Sequence, residues 1–386
     1  MLNWFHLDDL YQRVKLIKVS VLIAFVIGIL FSQKLWLNTG RLLPNLELFD
    51  SMPILSYQFD RILLLLFVVA GLIWVFSERR IIGWITIIAL IIMLLQDQMR
   101  WQPWVYLYLL MLIPFLFISN RNIDRIAILT TLQWIIAGVY FWSGVHKLNQ
   151  SFLDITFSQM TNVLGLNGNT HSWKKLGYII PIIELSMGLT LLIPRFRRVG
   201  LYTAILTHII ILFYLSPVAL NHNSVVYPWN VAMIVLLYLL FGDRPQKIPV
   251  TVSKVNFNLL KLVPVLFVWV FPIFNFFGYW DHYLSFSLYS DKTPKFYIAI
   301  EANEIHKIDK RFENYFAKIE GLQGGQIIDV DKWAYSELNV PFYPEMRLFR
   351  KLSSNFCRLD IDDNKLLFLE LVRSNNKSHY AKFNCH

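Results

Sequence analysis

Long apolar runs separated by short polar connections fill the first three quarters of the chain. Nine such runs cover roughly 16–37, 61–77, 81–95, 104–118, 126–148, 176–193, 199–220, 226–241 and 259–277. A helix needs ~20 apolar residues to cross a bilayer without tilt. Several runs are shorter, and flanking Trp, Tyr and Arg or shielding by protein would have to make up the difference. The run at 81–95 is the weakest. Arg13, Lys15 and Lys18 introduce the first run as an n-region would, but no small-residue cleavage site follows, so it reads as an uncleaved anchor. The pattern changes near 278. Charges become dense (Asp309, Lys310, Arg311, Glu313), and Phe296–Ile300 and Lys365–Leu371 alternate as strands do. Gly321, Gly324 and Gly325 mark a loop. The expected fold is an all-α polytopic membrane domain of about nine transmembrane helices over 1–277, followed by a small extracytoplasmic mixed α/β domain over 278–386.

Composition supports the membrane class. Of the 386 residues, 56% are hydrophobic and only 16% charged, against about 25% charged in soluble domains. The mean hydropathy is +0.46. An ordinary soluble protein, a disordered tail and a disulfide scaffold are excluded. The net charge of +10 needs no nucleic-acid partner, because membrane proteins concentrate Lys and Arg in cytoplasmic loops. A cytoplasmic N-terminus puts Arg79 and Arg80, Arg121 and Arg125, Arg195, Arg197 and Arg198, and Arg244, Lys247 and Lys254 inside. The outer loop 221–227 has no basic residue other than His222, and 96–103 has only Arg100; Lys174 and Lys175 in the loop 149–175 run against the bias. An odd number of spans places the C-terminus outside. There Cys357 and Cys385 could persist as a disulfide, the alternative being two free thiols. Two cysteines alone cannot build a metal cluster.

Polar residues inside apolar runs need a partner, a cavity or a chemical task. Gln133, Ala137, Tyr140, Gly144 and Lys147 share one stripe of the fifth helix. Ala137 and Gly144 allow close approach of another helix, so Gln133, Tyr140 and Lys147 face the bundle interior. Lys147 is either a lysine snorkelling to the outer headgroups or a partly desolvated amine able to take a proton or attack a carbonyl. Gly177, Pro181, Glu184 and Gly188 form a stripe on the sixth helix, and Thr203, Thr207 and His208 mark the seventh. Glu184 and His208 could share a proton in a relay, or form a buried pair that fixes two helices. Asp97 and Arg100 are i, i+3 neighbours expected to pair. No phosphate-binding glycine loop, G-x-G-x-x-G, H-E-x-x-H, C-x-x-C or nucleophile elbow is present.

Val139–Asn149, Glu184–Leu192 and the stretch from Arg198 to His208 resemble the horizontally transferred transmembrane domain, the membrane part of vitamin K-dependent γ-glutamyl carboxylase. The segment Gly278–Ser290 resembles that family's exit from its last span. Similar G-x-x-K-L and E-x-x-x-G patterns occur in small DoxX-type membrane proteins. The carboxylase resemblance implies a quinol (vitamin K-like) cofactor deprotonated by Lys147. His146 stands where the family has the first lysine of a pair, and the large lumenal region of the carboxylase is missing. Lys147 is then the general base, with Gln133, Tyr140 and His146 lining the substrate pocket and Glu184 and His208 giving buried polar support. The lipid bilayer and a lipid-soluble substrate are the expected partners. The rival is a non-catalytic membrane partner or immunity-type protein whose outer domain binds another polypeptide; a transporter is a third class.

Overall fold

The computed structural model describes residues 9–53, 55–118, 122–165, 171–220, 224–242, 259–318, 325–374 and 377–385. Arg121, Arg244, Lys247, Lys254, Gly321, Gly324 and residues 221–223 of the loop expected to be outer lie outside them.

Apolar helices occupy all nine predicted stretches. They are α1 (Leu10–Phe31), followed by the short α2 (Gln33–Leu37); α3 (Tyr57–Phe76); α4 (Arg80–Gln96); α5 (Pro103–Leu112), extended by a 3-10 turn Ile113–Phe117; and α6 (Asn122–Lys147). After the short α7 (Ser158–Val163) and α8 (His171–Lys175) come α9 (Ile179–Leu192), α10 (Arg197–Leu215), α11 (Val226–Phe241) and α12 (Leu259–Trp269), the last continued by a 3-10 turn Phe271–Phe277. Five helical segments are long and apolar enough to cross a membrane: Leu10–Phe31, Tyr57–Phe76, Asn122–Lys147, Trp173–Leu192 and Arg197–Leu215. Four shorter apolar segments, Arg80–Gln96, Pro103–Phe117, Val226–Phe241 and Leu262–Phe277, accompany them. The chain is a mostly helical, multi-pass membrane protein. The weak run at 81–95 lies within a single unbroken helix. All ten residues of α5 are buried, as expected of a helix that is apolar all round and packed inside protein. By contrast, Leu65 of α3 and Tyr202 of α10 are 64% and 67% exposed, which suits a lipid-facing surface.

Helix α6 is the axis of the bundle, and glycines set its spacing from α9. A Cβ on Gly144 would stand 2.5 Å from Leu185 N and 2.6 Å from Pro181 O. One on Gly188 would stand 2.6 Å from Ala137 O. Side chains there would force the two backbones apart. Across α1, Gly28 likewise admits the Trp104 ring of α5.

Basic residues gather at one end of the bundle. Lys18 Nζ donates to Trp74 O at 2.7 Å, Arg13 Nε donates to Leu239 O at 2.5 Å, and the Arg125 guanidinium covers the Tyr11 ring. The C-terminal residues pack on the opposite end. There Asn339 Nδ2 donates to Phe31 O, and the Leu42 and Leu43 amides donate to the Glu337 carboxylate. Asp97 and Arg100 do not pair with each other. Arg100 makes a bidentate pair with Asp60 (3.0 and 2.9 Å) and also donates to Met93 O and Leu35 O. Asp97 instead accepts from Arg41 at 2.7 Å. The 3-10 turn Gln98–Arg100 leaves each side chain a better-matched buried partner than its sequence neighbour.

Beyond α12, β1 (Lys295–Glu301), β2 (Phe316–Ala317), β3 (Gly325–Asp329), β4 (Leu366–Ser374) and β5 (Lys377–Phe383) form an antiparallel sheet in the order β2-β3-β1-β4-β5. The register pairs Ile298 with both Ile328 and Phe368. Two helices complete this part, α13 (Val330–Leu338) and α14 (Met346–Phe356). Asp329 caps α13 by accepting from Lys332 N, and Asn339 ends it in the left-handed region at φ 56°, a conformation Asn tolerates. Phe296 of β1 stacks on Phe349 of α14 with ring centres 4.8 Å apart. Cys357, at the end of α14, and Cys385, after β5, form a disulfide.

Candidate functional site

Two polar clusters interrupt the apolar contacts of α6. The first is at its C-terminal end. Lys147 Nζ lies 2.6 Å from Glu184 Oε2 and donates to Ser143 Oγ at 2.7 Å. Ser143 Oγ donates to the same Glu184 oxygen at 2.9 Å. Lys147 and Ser143 are one helical turn apart on α6, so both side chains meet the carboxylate that α9 presents. The close approach at Gly144 and Gly188 brings that carboxylate within reach. Lys147 is 5% exposed and Glu184 8%. Lys147 therefore does not snorkel. Its amine is turned into the α6–α9 seam.

The second cluster lies two turns deeper. Tyr140 Oη and His208 Nε2 are 2.5 Å apart, and His208 Nδ1 lies 2.7 Å from Asn230 Oδ1. Asn230 Nδ2 in turn donates to Val226 O. This chain ties α6 to α10 and α11. Glu184 and His208, expected as a proton-sharing pair, are each bonded elsewhere: Glu184 to Lys147 and Ser143, His208 to Tyr140 and Asn230. A carboxylate and an imidazole buried in apolar surroundings each take the nearest donors and acceptors; those of Glu184 lie on α6, and those of His208 on α6 and α11.

The three residues assigned to a substrate pocket do not converge. Gln133 is half-buried and donates to Leu240 O at 2.7 Å. It sits fourteen residues, or ~21 Å along the helix, below Lys147. Tyr140 belongs to the deeper cluster. His146 lies on a different flank, its ring stacked on Phe276 with centres 5.0 Å apart. Ser143 and Asn230 were not singled out from sequence as site residues. Ser143 carried a usable signal, four residues before Lys147 on the same stripe. Asn230 carried none, since its partner comes from another helix. No group of three or more metal-ligating side chains occurs among the described residues.

A model of the family described as methylamine utilisation protein MauE matches residues 125–226. The match begins in α6 and ends at the start of α11, so it contains Tyr140, Ser143, Lys147, Glu184 and His208. Over these residues the chain is similar to that membrane-protein family. No curated protein and no solved structure gives a significant match to the chain.

Proposed function

We propose that this multi-pass membrane protein carries out acid–base chemistry on a lipid-soluble, quinol-type substrate, with Lys147 as the proton acceptor. The observation that carries the proposal is the Lys147–Ser143–Glu184 cluster at the outer end of α6. Its amine is shielded from solvent, with Lys147 5% exposed, at the end of an apolar helix. As a neutral amine, Nζ has two hydrogens and one lone pair; Ser143 and Glu184 accept the two hydrogens. The lone pair is left to accept the proton of a substrate hydroxyl, so an aromatic diol fits the site. When bound, such a group supplies an acidic hydroxyl and redox capacity. Lys147 takes up a proton at Nζ, Glu184 compensates the resulting charge across 2.6 Å, and Ser143 fixes the amine's direction. The resemblance of Val139–Asn149 to the carboxylase membrane domain favours the same assignment. We place the basic end of the bundle at the cytoplasmic face by the positive-inside bias, with the sheet and its disulfide outside.

A second proposal is a non-catalytic membrane partner of immunity type, bound to another polypeptide through the outer domain. It is favoured by the mutual satisfaction of Lys147, Ser143 and Glu184, which suits a lock between α6 and α9. Mass spectrometry of organic extracts separates the two. Detergent-purified wild type should carry a quinone-class molecule enriched over its level in bulk membrane lipid. Lys147→Gln should lose it roughly tenfold, as expected for removing a hydrogen bond from a charged group. Equal, background-level extracts from both proteins would overturn the quinol proposal and leave the partner role.

A further inference from the structure

Three basic side chains lie within electrostatic reach of His146: Lys292, His282 and Lys147. Two of them are matched. Glu184 pairs with Lys147 at 2.6 Å, and Glu345 Oε1 lies 2.9 Å from His282 Nδ1. Lys292 has no carboxylate within ion-pair distance among the described residues. Its sequence neighbour Asp291 accepts instead from the amide and hydroxyl of Thr156. The Lys292 ammonium lies 5.7 Å from the centre of the Phe276 ring, the same ring that stacks on His146. Trp142 completes the group, 5.8 Å from His146 and 6.3 Å from Phe276 between ring centres.

Within this group, His146 Nε2 and Trp142 Nε1 are both buried without a hydrogen-bond partner. His146 is only 1% exposed. Each unmatched buried nitrogen costs ~1–3 kcal/mol, and native interiors seldom tolerate several in one place. The Lys292 ammonium, set over the Phe276 ring that stacks on His146, brings a positive charge to the same group. All three groups can act as hydrogen-bond donors, His146 in its Nε2–H form, and what they lack in common is an acceptor carrying negative charge.

We propose that Lys292, His146 and Trp142 form a binding site for an oxyanion, a carboxylate or phosphate group, at the outer end of α6, with Phe276 as its cover. Phe276 is 51% exposed and sits near the end of a 3-10 turn, so its ring can swing aside without breaking an α-helix. Gly278, two residues on, has φ +75° and open space around its Cβ position, which leaves the turn free to adjust. These residues are distinct from Lys147, Ser143 and Glu184, and the site stands whether or not Lys147 is a base. Two sources offer this chemistry: the phosphate of a lipid headgroup, and a small soluble acid or phosphate.

The test is thermal melting of the full chain in neutral detergent at constant ionic strength. The probes are acetate, inorganic phosphate and dihexanoyl phosphatidylglycerol. At least one should raise the melting temperature saturably. Response to a soluble probe identifies a small acid or phosphate as the ligand, and response to the lipid alone identifies the headgroup. Lys292→Gln should weaken the binding roughly tenfold, and Lys292→Arg should retain it. Lys292 is only half-buried in an irregular segment before β1, so both variants should fold, and their melting without probe checks this. A lack of saturable response to all three probes, or unchanged affinity in Lys292→Gln, would overturn the site.

Discussion

Single side chains in this molecule are read most safely through their partners. Lys147 looks in sequence like an ordinary helix-end lysine. Its neighbours Ser143 and Glu184 turn it into a buried, oriented amine. The same principle works in the C-terminal part of the chain, where Glu304 is also buried. Glu304 sits between Lys307 at 2.7 Å and Lys365 at 2.9 Å. Hydrogen bonds from Lys307 and then Lys365 hold its carboxyl down at about 2, from an ordinary value of 4.5. A carboxyl lowered by folding stabilises the protein above its unfolded value, and that contribution disappears as the pH falls through the folded value. Melting temperatures of wild type and Glu304→Gln should therefore differ most above about pH 4.5 and converge toward about pH 2. A constant gap across that range would contradict the assignment.

The helices were legible from hydrophobic runs because a bilayer and a core impose the same demand, a continuous apolar helix. All nine runs appear, and the strands β1 and β4 fall on the alternating stretches. What periodicity could not supply was partner choice. Ala137, Gly144 and Gly188 announced a close helix contact, but the sequence does not say that α6 meets α9 there. Asp97 and Arg100 pointed to a local pair, yet each found a partner forty or more residues away. The Glu184–His208 expectation failed for the same reason, since each had a nearer partner on α6. Packing at this seam gives a sharp prediction. Gly144→Val would press a side chain onto Leu185 N and Pro181 O. It should cost about 1–3 kcal/mol or more, seen as a lower melting temperature in detergent. Gly165→Ala, at a position with open space around its Cβ but φ +71°, should cost only the backbone strain of about 1 kcal/mol. Equal losses at the two sites would refute the close-contact argument.

At the scale of the whole molecule, one end of the bundle is basic and the other carries the sheet and the Cys357–Cys385 disulfide. The positive-inside bias then predicts that the basic end is cytoplasmic. Alkaline phosphatase fused after His386 should be active, because that enzyme needs an oxidising compartment. A fusion in the 77–80 turn between α3 and α4 should be inactive. The opposite pattern would reverse the topology and remove the proposed outer-leaflet position of Lys147.

The most direct measurement compares Lys147→Arg with wild type in a deletion host, at matched expression and melting temperature. Arg keeps the positive charge and can still pair with Glu184 but cannot give up its proton. A working proton acceptor predicts that Lys147→Arg folds and fails to restore function. Full restoration by Lys147→Arg would contradict it and leave the cluster as a clasp between two helices.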